Sequence, residues 1–460
     1  MSTYLSISYL DVRIRVYYNE IILNLHLLAI PMHEGHTGEA MFDAVVPVLD
    51  VRCPNWRDVM LGITTDGERK MTGVNKGLAT RFQKVCRSGF MRVWCGLHQL
   101  DLALQNTFKA AMKGRFFGYM TQTIAYLRRQ GTLIRQMDTT APLFQDTRWE
   151  LIATVQYLVY ETPSNIDSTF RCQNTVITFR SLEGTTALVT EQMAQMKKLS
   201  SDIQIMFGVR AVGDEDNSEL DNRPTTLSLA ENNAMVCDHA KILDLLQDNG
   251  SFAIKILDTI GTDAATLLAS DLASVMATFV ERVNSIEPKR NEKNEPVEGE
   301  LPPSLPREFV KLQGRDLSAL ILKHRDRMAP HWTGEQIDAI EQEHSALCDQ
   351  YRRHEQFRRS IDNDIEKVCT FEDAWNNADG KSPILKRFAG GLATTFPGTS
   401  TVESDFSILK WEKPPSKSRL TSFSLEGLLH AKQFALLNSI KVSSDGKPGD
   451  TSTTNDPLIS

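Results

Sequence analysis

The chain lacks an excess of positive charge, a long apolar run and a cysteine framework, and each absence removes a class of protein. The formal net charge is −7 with a pI near 5.9, so the chain is not basic throughout, and any binding of nucleic acid must rest on a local patch. Seven cysteines, scattered and odd in number, do not form a disulfide scaffold; reduced thiols are expected. No charged, apolar and small-residue order marks a signal peptide at the N-terminus. The apolar stretch 21–32 is only about twelve residues long and is interrupted by Asn24 and His26, too short to span a bilayer as a helix. The expectation is a soluble intracellular protein with no membrane partner.

What is present is ordinary for a globular chain: 41% hydrophobic and 24% charged residues, over 460 residues that allow two or three domains. The charge is unevenly spread. Residues 61–150 carry 14 Lys and Arg against 6 Asp and Glu, whereas residues 201–300 carry 8 against 19. A basic segment and an acidic one therefore belong to different parts of the molecule.

The stretch Met60-Leu-Gly-Ile-Thr-Thr-Asp66-Gly67 is an apolar, β-branched run ending in Asp-Gly, the pattern of a buried strand with a carboxylate at its tip. Before it, 4–11 alternates as a strand ending in Asp11, residues 21–30 read as a second strand, and a helix is expected to start near His36-Thr37 and stop before Cys53-Pro54. After it, Arg92-Val-Trp94-Cys95 leads into a helix bearing Leu97, Leu100, Leu104 and Phe108. Strand, strand, helix, strand is an α/β order. Basic helices follow at 107–136, and a further helix at 144–160 begins with Thr147-Arg148-Trp149. Long helical patterns then dominate at 183–207, 225–247, 252–286, 307–328 and 334–361, broken by the Pro-, Glu- and Asn-rich stretch 288–306. The tail from Asn438 is rich in Ser, Thr, Gly, Asp and Pro and is expected to be disordered.

Asp66-Gly followed by Met71-Thr72-Gly73, then Cys95-x-x-His98-x-Leu-x-Leu, then Thr147-Arg148-Trp149, then Ser400-Thr-Val-Glu403-Ser-Asp-Phe406-Ser407, resembles in order and spacing the hAT transposases. The resemblance spans roughly residues 5–160 and 370–437 and implies an α/β fold: an RNase H-like mixed sheet flanked by helices, interrupted by a large all-helical insertion. The domains it implies are 1–160 and 371–437 for the two parts of the core, 161–370 for the insertion and 438–460 for the tail. It implies a nuclear protein that binds DNA at transposon ends as a homodimer or higher homo-oligomer. Such families usually begin with a BED-type zinc finger; no Cys-x-x-Cys with a following His pair precedes Asp11, which implies a truncated gene model or a lost targeting domain and favours a domesticated, catalytically inactive dimerising protein as the alternative.

By the same resemblance Asp11, Asp66 and Glu403 are the catalytic acids, holding two Mg²⁺ or Mn²⁺ ions for strand cleavage and transfer, because hard oxygen ligands suit a two-metal in-line displacement. Each residue also has a plainer reading. Asp66 before Gly67 is equally a turn residue. Asp11 is followed by Val12-Arg13-Ile14-Arg15 rather than the family's Trp-Thr-Ser-like stretch, and Asp50 or Glu39 competes for its role. Glu403 stands three residues after Ser400, the spacing of a capping box. Cys95 and His98 supply only two of the four ligands of a zinc site, with His33 and His36 the nearest complement, so a structural role is favoured. Trp149 after Arg148 is implied to support a flipped base, or else packs on the sheet. Arg69, Lys70, Lys76 and Arg81, with Lys84, Arg87 and Arg92 beyond them, would hold phosphates beside the metals or form a solvated helix face. Phe406, Leu428, Leu429 and Phe434 are implied to lie in the dimerisation region, against ordinary core packing. A generic RNase H-like nuclease acting on RNA would use the same acids but needs neither the Cys-x-x-His nor the C-terminal motif.

Overall fold

The computed structural model describes residues 2–4, 7–33, 35–132, 135, 188–211, 235–248, 258–286, 302–362, 370–378, 380–396, 398–399, 402 and 421–434. The protein is mixed α/β, predominantly helical, with small sheets. The N-terminal sheet is antiparallel, in the order β1 (Ser2–Tyr4), β2 (Ile7–Tyr18), β3 (Ile21–Met32). The β2–β3 hairpin turns on Asn19 and Glu20, both at positive φ (47° and 65°), the left-handed pair that a two-residue turn needs to match strand twist. Strand β2 does not stop at Asp11: alternation continues through Val12-Arg-Ile-Arg-Val-Tyr-Tyr, so Asp11 lies mid-strand instead of at a strand end. Pairing runs from Tyr18↔Ile21 to Ser8↔Met32, with Leu27 as the extra residue of a bulge opposite Val12 and Arg13.

Alternation gives this hairpin two occupied faces. Leu10 and Met32 face a core with Met41 and Val45 of α1 (Gly38–Arg52), Trp56 of α2 (Trp56–Val59), Met71, Leu78 and Phe82. Helix α1 begins where the sequence predicts, with Thr37 as N-cap accepting from Ala40 N at 3.1 Å. Next, β4 (Gly62–Thr65), α3 (Arg69–Thr72), α4 (Leu78–Val85) and β5 (Met91–Trp94) make a β-α-β unit whose strands pair in parallel, Thr65 opposite Trp94.

Helix α5 (Gly96–Gly114) leads into α6 (Phe116–Leu127). Leu100, Ala103 and Leu104 of α5 form a second core with Met196, Leu199 and Ile203 of α7 (Val189–Phe207) and Phe279, Val280 and Val283 of a later helix, Thr262–Asn284. Between these lie β6 (Val209–Ala211) and β7 (Met235–Cys237), an antiparallel pair, and α8 (His239–Asp248). The described part of the 225–247 pattern, read as one helix, has a strand at 235–237 and a helix from His239. Thr262–Asn284 (α9) is long and apolar enough to cross a membrane by length and composition; here it packs against α5, α7 and α8.

The third core joins α10 (Pro306–Phe309), α11 (Gly314–Met328), α12 (Gly334–Arg353) and α13 (Glu355–Asp362) to α14 (Phe371–Asn376) and α15 (Pro383–Ala393), through Phe309, Leu317, Ile340, Leu347, Trp375, Leu385 and Phe388. Ile22 of β3 belongs to it too. The helical stretch after α6 therefore contributes to two cores, one shared with α5 and one with the C-terminal helices. A buried ion pair between Glu191 and Arg307 ties these together, and Trp375 Nε1 donates to Ser304 O at 2.9 Å beside it. The last described helix, α16 (Ser422–Lys432), lies on β3.

Candidate functional site

Residues 395–396 and 398–399, just after α15, form a strap bound from β2, from β4 and from the residue past β5. Arg15 of β2 donates to Thr395 O at 3.3 Å, and its guanidinium stands 5.7 Å from the Phe396 ring. Thr64 Oγ1 of β4 donates to Phe396 O at 2.7 Å. Thr399 N donates to Cys95 Sγ, one residue past β5, at 3.4 Å. Gly398 passes so close that an added Cβ would sit 3.0 Å from the same sulfur. Burial pushes Arg15 down to about 10, opposed by the charge of Glu372. Cys95 thus holds the strap, and His98 is half-buried three residues on.

Asp66 follows the last residue of β4 and is 8% exposed. Its Oδ1 accepts from Glu68 N at 3.2 Å, a local turn bond. Gly67 is forced by packing: a Cβ there would lie 2.4 Å from the Trp94 indole. Glu403 and Phe406 lie outside the described residues, as do Arg148 and Trp149; Glu403 is four residues beyond Thr399.

Asp11 is 9% exposed and its Oδ1 lies 3.0 Å from His26 Nδ1. His26 Nε2 in turn lies 3.1 Å from Glu426 Oε1, and His430 Nε2 reaches the same oxygen at 3.0 Å. Glu426 Oε2 accepts from Ala29 N at 2.8 Å, while Gln433 brackets the His26 backbone, accepting from its N at 2.9 Å and donating to its O at 2.8 Å. Burial alone would raise the Glu426 carboxyl, but the bonds from His26 and Ala29 and the charges of His26 and His430 hold it below its usual range. None of these three partners from α16 and its C-terminal end stood out in the sequence. The signal was there: Glu426, His430 and Gln433 recur at i, i+4 and i+7, one stripe of a helix, and His26 interrupts an apolar strand.

The basic residues near Asp66 are on the surface, and several have acidic or carbonyl partners. Lys70 pairs with Glu68 at 3.0 Å, Arg81 with Glu39 at 3.3 Å, Arg87 with Asp58 at 2.6 Å, and Arg92 donates to Thr72 O at 2.6 Å. Arg69 and Lys76 are exposed. Exposed pairs of this kind hold weakly. Asp50, a rival for the first acid, is bound at the surface by Arg57 and Trp56. Of the C-terminal residues, Leu429 is buried within the chain, Leu428 half-buried and Phe434 exposed.

The chain matches no known protein-family model and no curated protein.

Proposed function

We propose that the chain is a hAT-like DNA transposase or a nuclear protein derived from one, built on an RNase H-like core. The observation that carries this reading is the strap: Asp66-Gly67, Cys95 and the run toward Ser400-Glu403 are spread over more than three hundred residues of sequence, yet Thr64, Cys95 and Arg15 bind Phe396, Thr399 and Thr395. The strand order supports it as well, an antiparallel hairpin followed by a parallel β-α-β unit.

In this reading Asp11 of β2 and Asp66 just past β4, both buried carboxylates, and Glu403 would hold two Mg²⁺ or Mn²⁺ ions. Their donors are all oxygen, the set hard divalent cations take. Bound ions would supply an activated water and stabilise the leaving oxygen during phosphodiester cleavage. The chain's own part is to fix the acids: the Glu68 N–H orients Asp66, and the strap sets where the approach to Glu403 begins. Arg69 and Lys76 would contact the phosphates of bound DNA, and Arg148 and Trp149 the bases flanking the cut.

A second reading, an inactive dimerising relative, is favoured by one observation: Asp11 is already engaged by His26 in a network with α16. Calorimetric Mn²⁺ titration of wild type, Asp66→Asn and Glu403→Gln, with a nicking assay on supercoiled DNA, separates the two. Mn²⁺ binding and nicking lost together in both variants support the enzyme; binding unchanged by either substitution ends it and leaves dimerisation as the function.

A further inference from the structure

We propose that His26, Glu426 and His430 form a transition-metal site, of the class that takes Zn²⁺, with Asp11 as the outer carboxylate that orients His26. Its three ligands are not among the strand-cleavage acids; Asp11 alone enters both readings, here as the carboxylate behind His26, and the site stands without the strand-cleavage reading. The three ligand atoms, His26 Nε2, Glu426 Oε1 and His430 Nε2, lie within 4.8 Å of one another, and the two histidine nitrogens stand 3.1 and 3.0 Å from the shared carboxylate oxygen. Ligands around tetrahedral zinc, at about 2.0–2.1 Å from the ion, are separated by roughly 3.4 Å. Both histidine–carboxylate separations need only a few tenths of an ångström of expansion to match it.

The arrangement of protons argues the same way. His26 has a carboxylate at each ring nitrogen, Asp11 at Nδ1 and Glu426 at Nε2. Without a metal, both contacts are attractive only if the ring carries both protons, which places an imidazolium and two carboxylates in a site where the Asp11 and His26 side chains are 1% and 3% exposed. With a metal at Nε2, one proton suffices: Nδ1–H donates to Asp11, the carboxylate–histidine–metal relay that fixes the tautomer and strengthens the ligand. Glu426 is pinned for single-oxygen ligation, because Ala29 N holds its Oε2.

Glu426 and His430, at i and i+4, share one face of α16, as helix-borne metal ligands do. Loading moves the His430 proton from Nε2 to Nδ1 and so gives up the 3.1 Å contact with Gln433 Nε2, while Gln433 keeps its two bonds to the His26 backbone. His430 is the most exposed of the three at 43%, which gives the ion a path in and leaves a fourth position to water. The ion would staple α16 to β3 across 400 residues of chain.

The test is Zn²⁺ and Co²⁺ binding to the full-length chain in excess Mg²⁺, by competition with a chromogenic chelator and by visible absorption. Expected are one equivalent of Zn²⁺ and tetrahedral Co²⁺ bands without the thiolate charge transfer that a cysteine ligand would add. His430→Ala and Glu426→Gln, with helix content checked by circular dichroism, should each lower affinity by about 100-fold or more, and Asp11→Asn by about 10–100-fold. Asp66→Asn should leave Zn²⁺ binding unchanged, which separates this site from the strand-cleavage acids. No Zn²⁺ uptake, a thiolate band, or folded His430→Ala that binds like wild type overturns the proposal.

Discussion

Thr64 and Phe396 are 332 residues apart, and the Thr64 hydroxyl donates to the Phe396 carbonyl at 2.7 Å. Through that bond β4, with Asp66 two residues on, is held to the segment that leads out of α15. Cys95 and Arg15 secure the same segment from β5 and β2. The strap is where the first hundred residues meet the C-terminal part of the chain.

Thr64→Val keeps the shape of the side chain and removes the donor, at a cost of about 1 kcal/mol for a half-buried hydrogen bond. Cys95→Ala removes the acceptor for Thr399 N and also the atom against which Gly398 packs. Each change should speed amide exchange of Thr399 by roughly tenfold, the equivalent of about 1.4 kcal/mol in local opening, while amides of α12, in a separate core, keep their rates. Equal acceleration in α12 would show that the strap has no local role and that the substitutions act on the whole fold.

How far the sequence reached can be judged at the same residues. The strand before Asp66, the helix capped by Thr37 and the helices after β5 were legible because their periodicity is local. The sequence pattern ends strand β2 at Asp11, since an acid after an apolar run looks like a strand end; the turn that actually ends it, Asn19-Glu20, contains no Gly to announce it. The 235–237 strand is hidden inside a helical pattern because three residues cannot show a period. Asp11 and Asp66 were found as acids, but the partner of Asp11 was not, because His26 and Glu426 are brought together by tertiary packing across 400 residues. No pattern along the chain encodes that distance.

His324 gives a pH dependence of stability. It is 3% exposed on α11, with Arg327 NH1 2.9 Å from its Nδ1 and the backbone of Gly89 beside it. Burial first, then the charges of Arg327 and Lys323, push its pKa from 6.5 down to about 4. The ring is therefore neutral in the folded protein and protonates more readily when unfolded. Stability from this group is complete above pH 6.5, declines as the pH falls from 6.5 toward 4, and is lost below that, by at most on the order of 3 kcal/mol. His324→Gln should give a flatter profile across the same window in urea unfolding at pH 7.5, 5.5 and 4.5 (about two units around the shift). Parallel profiles for the two proteins would contradict the assignment.

Helix α16 divides its apolar residues between two jobs. Leu425 and Leu429, at i and i+4, are 1% and 3% exposed and pack inside the chain, whereas Phe423 and Phe434 are 88% and 63% exposed. Large aromatic side chains left in water are the usual anchors of a protein interface, so if the protein dimerises through this region, as proposed, Phe423 and Phe434 should carry the contact and Leu429 should not. Leu429→Ala should cost about 2–5 kcal/mol of stability by leaving a cavity. The pair Phe423→Ser and Phe434→Ser should leave the melting temperature within a degree or two of wild type (about ±0.5 kcal/mol for surface changes) and shift sedimentation from dimer to monomer. A double variant that still sediments as a dimer would place the contact elsewhere on the molecule, and a wild type that is monomeric throughout would remove dimerisation from the proposed function.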